Sequence, residues 1–191
     1  PNAVTGTTYT WTAAIQSGAP TGFANGSGSV ISQALSTNNA QGIVRYTITP
    51  SANGCSGTAI TVDVIVNPVP TASASNQVIC SGTATNIELT NPNLVAGTQY
   101  FWTVVESNVT GGSNGGTLAA PVNGPIAQTL TASSSAGGTA TYTITPVVGA
   151  AGCPGIPVIA TVTVNAIPDV LPTPNSQTIC SGTSTGISLT N

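Results

Sequence analysis

The chain repeats itself at the length of a whole small domain. Asn76-Gln77-Val78-Ile79-Cys80-Ser81-Gly82-Thr83 returns as Ser176-Gln177-Thr178-Ile179-Cys180-Ser181-Gly182-Thr183, a spacing of 100 residues. Tyr9-Thr10-Trp11-Thr12 matches Tyr100-Phe101-Trp102-Thr103, and Tyr46-Thr47-Ile48-Thr49-Pro50 matches Tyr142-Thr143-Ile144-Thr145-Pro146. Asn53-Gly54-Cys55 is echoed by Ala151-Gly152-Cys153. A period of about 95 residues exceeds any solenoid repeat or propeller blade and equals one compact domain, so the chain is a string of similar domains. Three units are expected: residues 1–67 as the C-terminal part of a first repeat, 71–168 as one complete repeat, and 171–191 as the opening strands of a third. Leu189-Thr190-Asn191 matches Leu89-Thr90-Asn91, which Pro92-Asn93 follow, and the chain opens on Pro1-Asn2. The expectation is a stretch cut from a longer array.

Within each unit the apolar residues alternate. Ala140, Tyr142 and Ile144 are interleaved with threonines, as are Val158, Ala160, Val162 and Val164; Ile60, Val62, Val64 and Val66 do the same. Period two with β-branched residues marks strands with one buried face. Gly, Asn and Pro cluster between them as turns. For the complete repeat, strands are expected near 76–80, 86–90, 99–105, 126–132, 138–146 and 157–165, with a further one within 117–123. Six or seven antiparallel strands in such a length predict an all-β, immunoglobulin-like β-sandwich. Trp11 and Trp102 fall mid-strand, where an indole fills the space between sheets, and Tyr46 and Tyr142 join them as expected core aromatics. The linkers Asn67-Pro68-Val69-Pro70 and Asn165-Ala166-Ile167-Pro168 are short and stiff, suiting a stalk.

Charge excludes several functions. Charged residues make up 3% of the chain, with one Arg (Arg45), no Lys, no His and the acids Asp63, Glu88, Glu106 and Asp169; soluble domains average about 25%. With so few basic groups nucleic-acid binding is not expected. No stretch reaches the roughly 20 apolar residues of a spanning helix. Without His, and with isolated carboxylates, the pairs needed for acid–base or nucleophilic catalysis are missing, and no cofactor or metal site is expected. The glycine-rich run 111–116 lacks the Lys and helix of a phosphate loop and reads as a flexible hairpin tip. Asn25-Gly26-Ser27 and Asn108-Val109-Thr110 are formal glycosylation sequons.

The cysteines leave three arrangements open. A Cys80–Cys153 bridge would close a 73-residue loop, a stabilisation of about 4 kcal/mol in the loop-entropy model. Cys55 and Cys180 would then pair outside the sequence. Pairing Cys55 with Cys80 and Cys153 with Cys180 would staple neighbouring domains. Four free thiols follow if Cys80 lies at the far end of the sandwich from Cys153. The bridge within the repeat is favoured, and with it an oxidising, extracellular setting.

Taken together, Ile-Cys-Ser-Gly-Thr, Tyr-x-Trp-Thr, the Ile-x-Gln-x-Leu strands (Ile31–Leu35 and Ile126–Leu130), Tyr-Thr-Ile-Thr-Pro, Gly-Cys and the closing Val/Thr strand resemble the PKD-like, immunoglobulin-like tandem repeats of very large Bacteroidota surface proteins, gliding-motility adhesins and other type IX secretion cargo among them. The resemblance implies sandwich beads, a Cys80–Cys153 bridge, export to the cell surface and a role as stalk or filament in adhesion or gliding motility. It carries over no catalytic residue. The partners so implied are neighbouring repeats, with sideways self-association as a further possibility for so uncharged a surface. The alternative is a module that binds polysaccharide or ice through threonine rows and exposed aromatics. The extra length around Gly111–Pro125 is where a binding loop would be grafted.

Overall fold

The computed structural model describes residues 4–148 and 152–191. Ala151 of the Ala-Gly-Cys echo and the opening Pro1-Asn2 lie outside the described residues. Strands make all the regular structure among them. An N-terminal sheet is built from β1 (Thr8–Ser17), β2 (Gly26–Ser27), β3 (Gly42–Ala52), β4 (Cys55–Ser56) and β5 (Ile60–Val66), with β3 at its centre between β1 and β5. The central region adds β6 (Gln77–Cys80), β7 (Thr83–Ala84), β8 (Thr98–Ser107), β9 (Val109–Thr110), β10 (Thr129–Ala132), β11 (Gly138–Val148) and β12 (Val158–Asn165). A last pair, β13 (Leu171–Thr173) and β14 (Ser188–Thr190), closes the order.

The central strands form an immunoglobulin-like sandwich. One sheet runs β6-β12-β11-β8 and the facing one β7-β10-β9, extended by pairing of Ile87 with Ile126. Alternation selects the core: Ala140, Tyr142 and Ile144 on β11 and Ala160, Val162 and Val164 on β12 are buried, and they meet Ile87, Ile126 and Leu130 from the second sheet. Thr85 is polar and buried there because both its hydrogen-bonding roles are filled. Its hydroxyl donates to the Ile126 carbonyl (2.7 Å) and accepts from the Gln128 N–H (3.0 Å).

The sandwich is not wholly antiparallel. β6 runs parallel to β12, with Gln77 opposite Val162 and Cys80 opposite Asn165. The short strand expected at 86–90 is present only as isolated pairs, Ile87 with Ile126 and Thr90 with Ser73.

The N-terminal sheet has the same local pattern around a smaller core of Trp11, Val44 and Tyr46. Nothing corresponding to β6 or to the 83–90 segment stands against it among the described residues, so β5 is paired on one edge only. Ile60 and Val62, whose counterparts in β12 pack inward, are exposed.

Candidate functional site

The side chains that both units hold in the same arrangement form a polar lock around the indole. In the central sandwich the Trp102 Nε1–H donates to the Ser113 carbonyl (3.1 Å). Gln128 reads the same backbone residue twice: its Nε2 donates to that carbonyl (2.8 Å), and its Oε1 accepts from the Ser113 N–H (2.9 Å). The Tyr142 hydroxyl donates to Gln128 Oε1 (2.9 Å), so a fully buried phenol keeps a partner. Asn114 adds an acceptor for the Val104 N–H (2.9 Å). The N-terminal sheet repeats the set. Trp11 donates to Ala24 (3.2 Å), Gln33 brackets Ala24 (2.8 and 3.0 Å), Tyr46 donates to Gln33 (2.7 Å), and Asn25 accepts from Ala13 (2.8 Å).

Each indole lies on a glycine. A Cβ on Gly115 would come 2.0 Å from Trp102 Cζ2, and one on Gly26 would come 2.7 Å from Trp11 Cζ2, so only glycine lets the backbone pass this close. The run 111–116 is therefore not a free hairpin tip. Gly115 pairs with Trp102 along β8 through two backbone bonds (2.8 and 3.1 Å). Nor is the extra length after it a projecting loop: Thr117 pairs with Ala120, and Val122 pairs with Tyr100. That fold-back buries Tyr100, whereas its counterpart Tyr9 is 41% exposed because the first unit lacks the insertion.

Chemically this arrangement holds protons rather than moving them. Burial, and secondarily the negative charge of Glu106, pushes the Tyr142 hydroxyl up to about 12; burial also raises Tyr46 and Tyr100. The sequence offered Gln33 and Gln128 only as motif letters and Asn25 only as a sequon. The recurrence of Asn-Gly after each Trp, alongside Ile-x-Gln-x-Leu, was the available signal.

The remaining polar groups stand apart. Arg45 lies opposite Asp63 across β3 and β5 and grips it with two bonds (2.6 and 2.7 Å). Hydrogen bonding to the carboxylate holds Arg45 above its usual range and keeps Asp63 below its own. Glu88 and Glu106 are exposed. Among the described residues no group of three or more His, Cys, Asp or Glu could hold a metal, and no helix is long and apolar enough to cross a membrane. A recess of about 630 Å³ is lined by Leu35–Asn39, Val66, Asn67, Val69 and Asn93, without a charged or aromatic side chain.

The Cys80–Cys153 bridge is not formed. Cys55, Cys80, Cys153 and Cys180 are free thiols. The parallel register explains why: Cys80 lies opposite Asn165, the last residue of β12, while Cys153 precedes its first, Val158. The length of β12 between them, roughly 20 Å or more, far exceeds the Cα separation of about 7 Å a disulfide tolerates. The step from a bridge to an oxidising compartment falls with it.

Two stretches of the chain, residues 2–70 and 77–168, match the PKD-like domain family. The chain belongs to that family. No curated protein matches it. PKD-like, immunoglobulin-like modules are generally non-catalytic and typically occur in extracellular proteins. In this PKD-like chain the indole lock is common to both matched stretches.

Proposed function

We propose that the chain is a length of a structural array: PKD-like sandwiches strung as a surface filament or stalk used in adhesion or gliding motility. The proposed units are 1–67, 71–168 and 171–191, and the setting is the cell surface of a Bacteroidota cell exporting it through type IX secretion. One observation carries the reading. What recurs between units is packing machinery, the Trp102–Gln128–Tyr142 and Trp11–Gln33–Tyr46 locks, while the charged groups do not recur. Selection for repeated shape with no repeated chemistry is what a spacer requires. Short proline-bearing linkers favour end-to-end spacing. The partners are neighbouring repeats of the same chain, with sideways contact between fibres as a second association. A polysaccharide-binding role loses its indole platforms, since Trp11 and Trp102 are both buried.

Electron microscopy of the native protein on its source cells, with antibody raised to residues 71–168, tests this. Label recurring along a beaded surface filament is the expected result. Label on a short secreted protein, beside a compact catalytic domain, would overturn it.

A further inference from the structure

The longest repeated run in the sequence lies on a four-residue edge strand. β6 sits within Asn76–Thr83, which returns at 176–183. Within its sheet β6 pairs with β12 alone, Gln77 to Cys80 running parallel to Val162 to Asn165. Two more bonds lengthen this ladder. The Thr161 N–H donates to Asn76 Oδ1 (2.8 Å), and the Ser81 N–H donates to the Asn165 carbonyl (2.8 Å). Both ends of β6 are also tied to the opposite side of the sandwich. Gln77 brackets Asn86, its Nε2 donating to the carbonyl (2.6 Å) and its Oε1 accepting from the N–H (3.1 Å). The Gly82 N–H donates to the Leu130 carbonyl (2.8 Å), and the Ala132 N–H donates to Ser81 Oγ (2.9 Å). Ile79 packs on the core between these anchors. Two of the local ties recur with the motif. Gln177 accepts from the Gly186 N–H (3.2 Å), and the Thr183 hydroxyl donates to the Cys180 carbonyl (2.8 Å) as Thr83 does to Cys80 (2.7 Å).

We propose that β6 and β12 form a clamp that resists tension along the chain. The chain enters the 71–168 unit through β6 and leaves it through β12, so these two strands take the load. Tension draws Gln77 back towards the preceding linker and Asn165 forward into the following one. Because the strands run parallel, these opposed pulls slide one strand along the other. The bonds from Asn76 to Ser81 are then loaded together, and the anchors at Gln77 and Gly82 keep β6 in register while they strain. An antiparallel pair pulled apart at a shared end opens one bond at a time instead. β11 and β12 are such a pair, with Gly138 opposite Val164 at their open end. Upstream of β6, where Ser73 pairs with Thr90 (3.0 and 3.1 Å), the chain can peel away without shortening the clamp. That tension is the load this unit meets rests on the stalk or filament reading above; the clamp itself is a property of the fold.

Extension of the 191-residue chain in optical tweezers tests it. Handles attached through azide-bearing residues at the exposed positions Val69 and Ile167 load β6 against β12 in shear. Handles at Ser135, also exposed, and Ile167 peel β12 from β11. In shear the unit should open in one step, releasing roughly 300 Å of chain at a force about twofold or more above that of peeling. Asn76→Ala, at an exposed position away from the peeling front, removes one bond of the ladder. It should shorten the lifetime under a fixed shear load about fivefold and leave the peeling lifetime unchanged. Equal forces in the two directions, or an Asn76→Ala effect equal in both, would overturn the clamp. The force is read on the purified chain and the filament on cells, so either reading can fail without the other.

Discussion

The N-terminal sheet and the central sandwich are two copies of one design, and among the described residues only the second has its cover. β5 reads Ile-Thr-Val-Asp-Val-Ile-Val and β12 reads Val-Ile-Ala-Thr-Val-Thr-Val-Asn, equally apolar in pattern. Yet Ala160, Val162 and Val164 are fully buried, whereas in β5 Val66 alone is buried, and at 9% exposure not fully. The difference lies outside both strands. β6 and the 83–90 segment close the second core, and the first has no such elements among its described residues. Alternation thus records which face a strand offers; burial depends on whether a partner arrives.

The largest break in this comparison should come from removing the same leucine from each core. Leu130 is fully buried, and Leu130→Ala should destabilise the central sandwich by about 2–5 kcal/mol through lost contact and a residual cavity. Leu35, its counterpart, is half-buried on the rim of an open groove, and Leu35→Ala should cost under about 1 kcal/mol. Denaturant unfolding followed by native-state amide exchange separates the two regions. Equal losses would mean that the first core is closed in solution.

How much of this was legible beforehand follows from the range of the interactions. Strands such as 138–146 and 157–165 could be read because Tyr142, Ile144, Val162 and Val164 impose period two locally. The core places of Trp102 and Tyr142 followed from mid-strand position and size. The end of β12 at which Cys80 sits was not legible, since a four-residue strand carries no record of its register, and the disulfide expectation turned on that placement. A strand is expected within 117–123, but the segment holds only isolated pairs, Thr117 with Ala120 and Val122 with Tyr100. Its fold-back was not legible because Thr117, Ala120 and Val122 have no apolar period and their pairing is dictated by the exposed edge of β8. The Gln128 lock depends on a side-chain amide meeting the backbone of Ser113, 15 residues away, a match of shape that composition does not encode.

A finer contrast lies under the two indoles. Gly115→Ala should cost about 1–3 kcal/mol by overpacking, because the new methyl would collide with the ring of Trp102 at the Gly115 pairing site. Gly26→Ala meets a looser contact on a ring facing the open half, and the smaller loss should appear there. Thermal unfolding of the two variants, with Trp emission as a second probe, checks the order. A reversed order would show that Trp11 is held more rigidly than its surroundings indicate.

The smallest effect concerns the phenol in each lock. Tyr142→Phe removes one hydrogen bond to Gln128 and should cost about 1 kcal/mol at neutral pH. Its pH dependence is more diagnostic. The folded state holds the Tyr142 proton up to about 12, against an ordinary value of 10.0. Between those values the unfolded chain binds fewer protons than the folded one, so stability is fully present below pH 10 and falls as pH rises towards 12. Tyr142→Phe should flatten that alkaline decline in the central sandwich. Tyr46 is raised in the same direction by burial alone, without a neighbouring carboxylate to add to it. Tyr46→Phe should therefore flatten a shallower decline, confined to the N-terminal sheet. If the two phenylalanine variants changed the alkaline limb alike, closure of the core would not be what separates the locks. The tyrosine–glutamine bond alone would then set how tightly each proton is held.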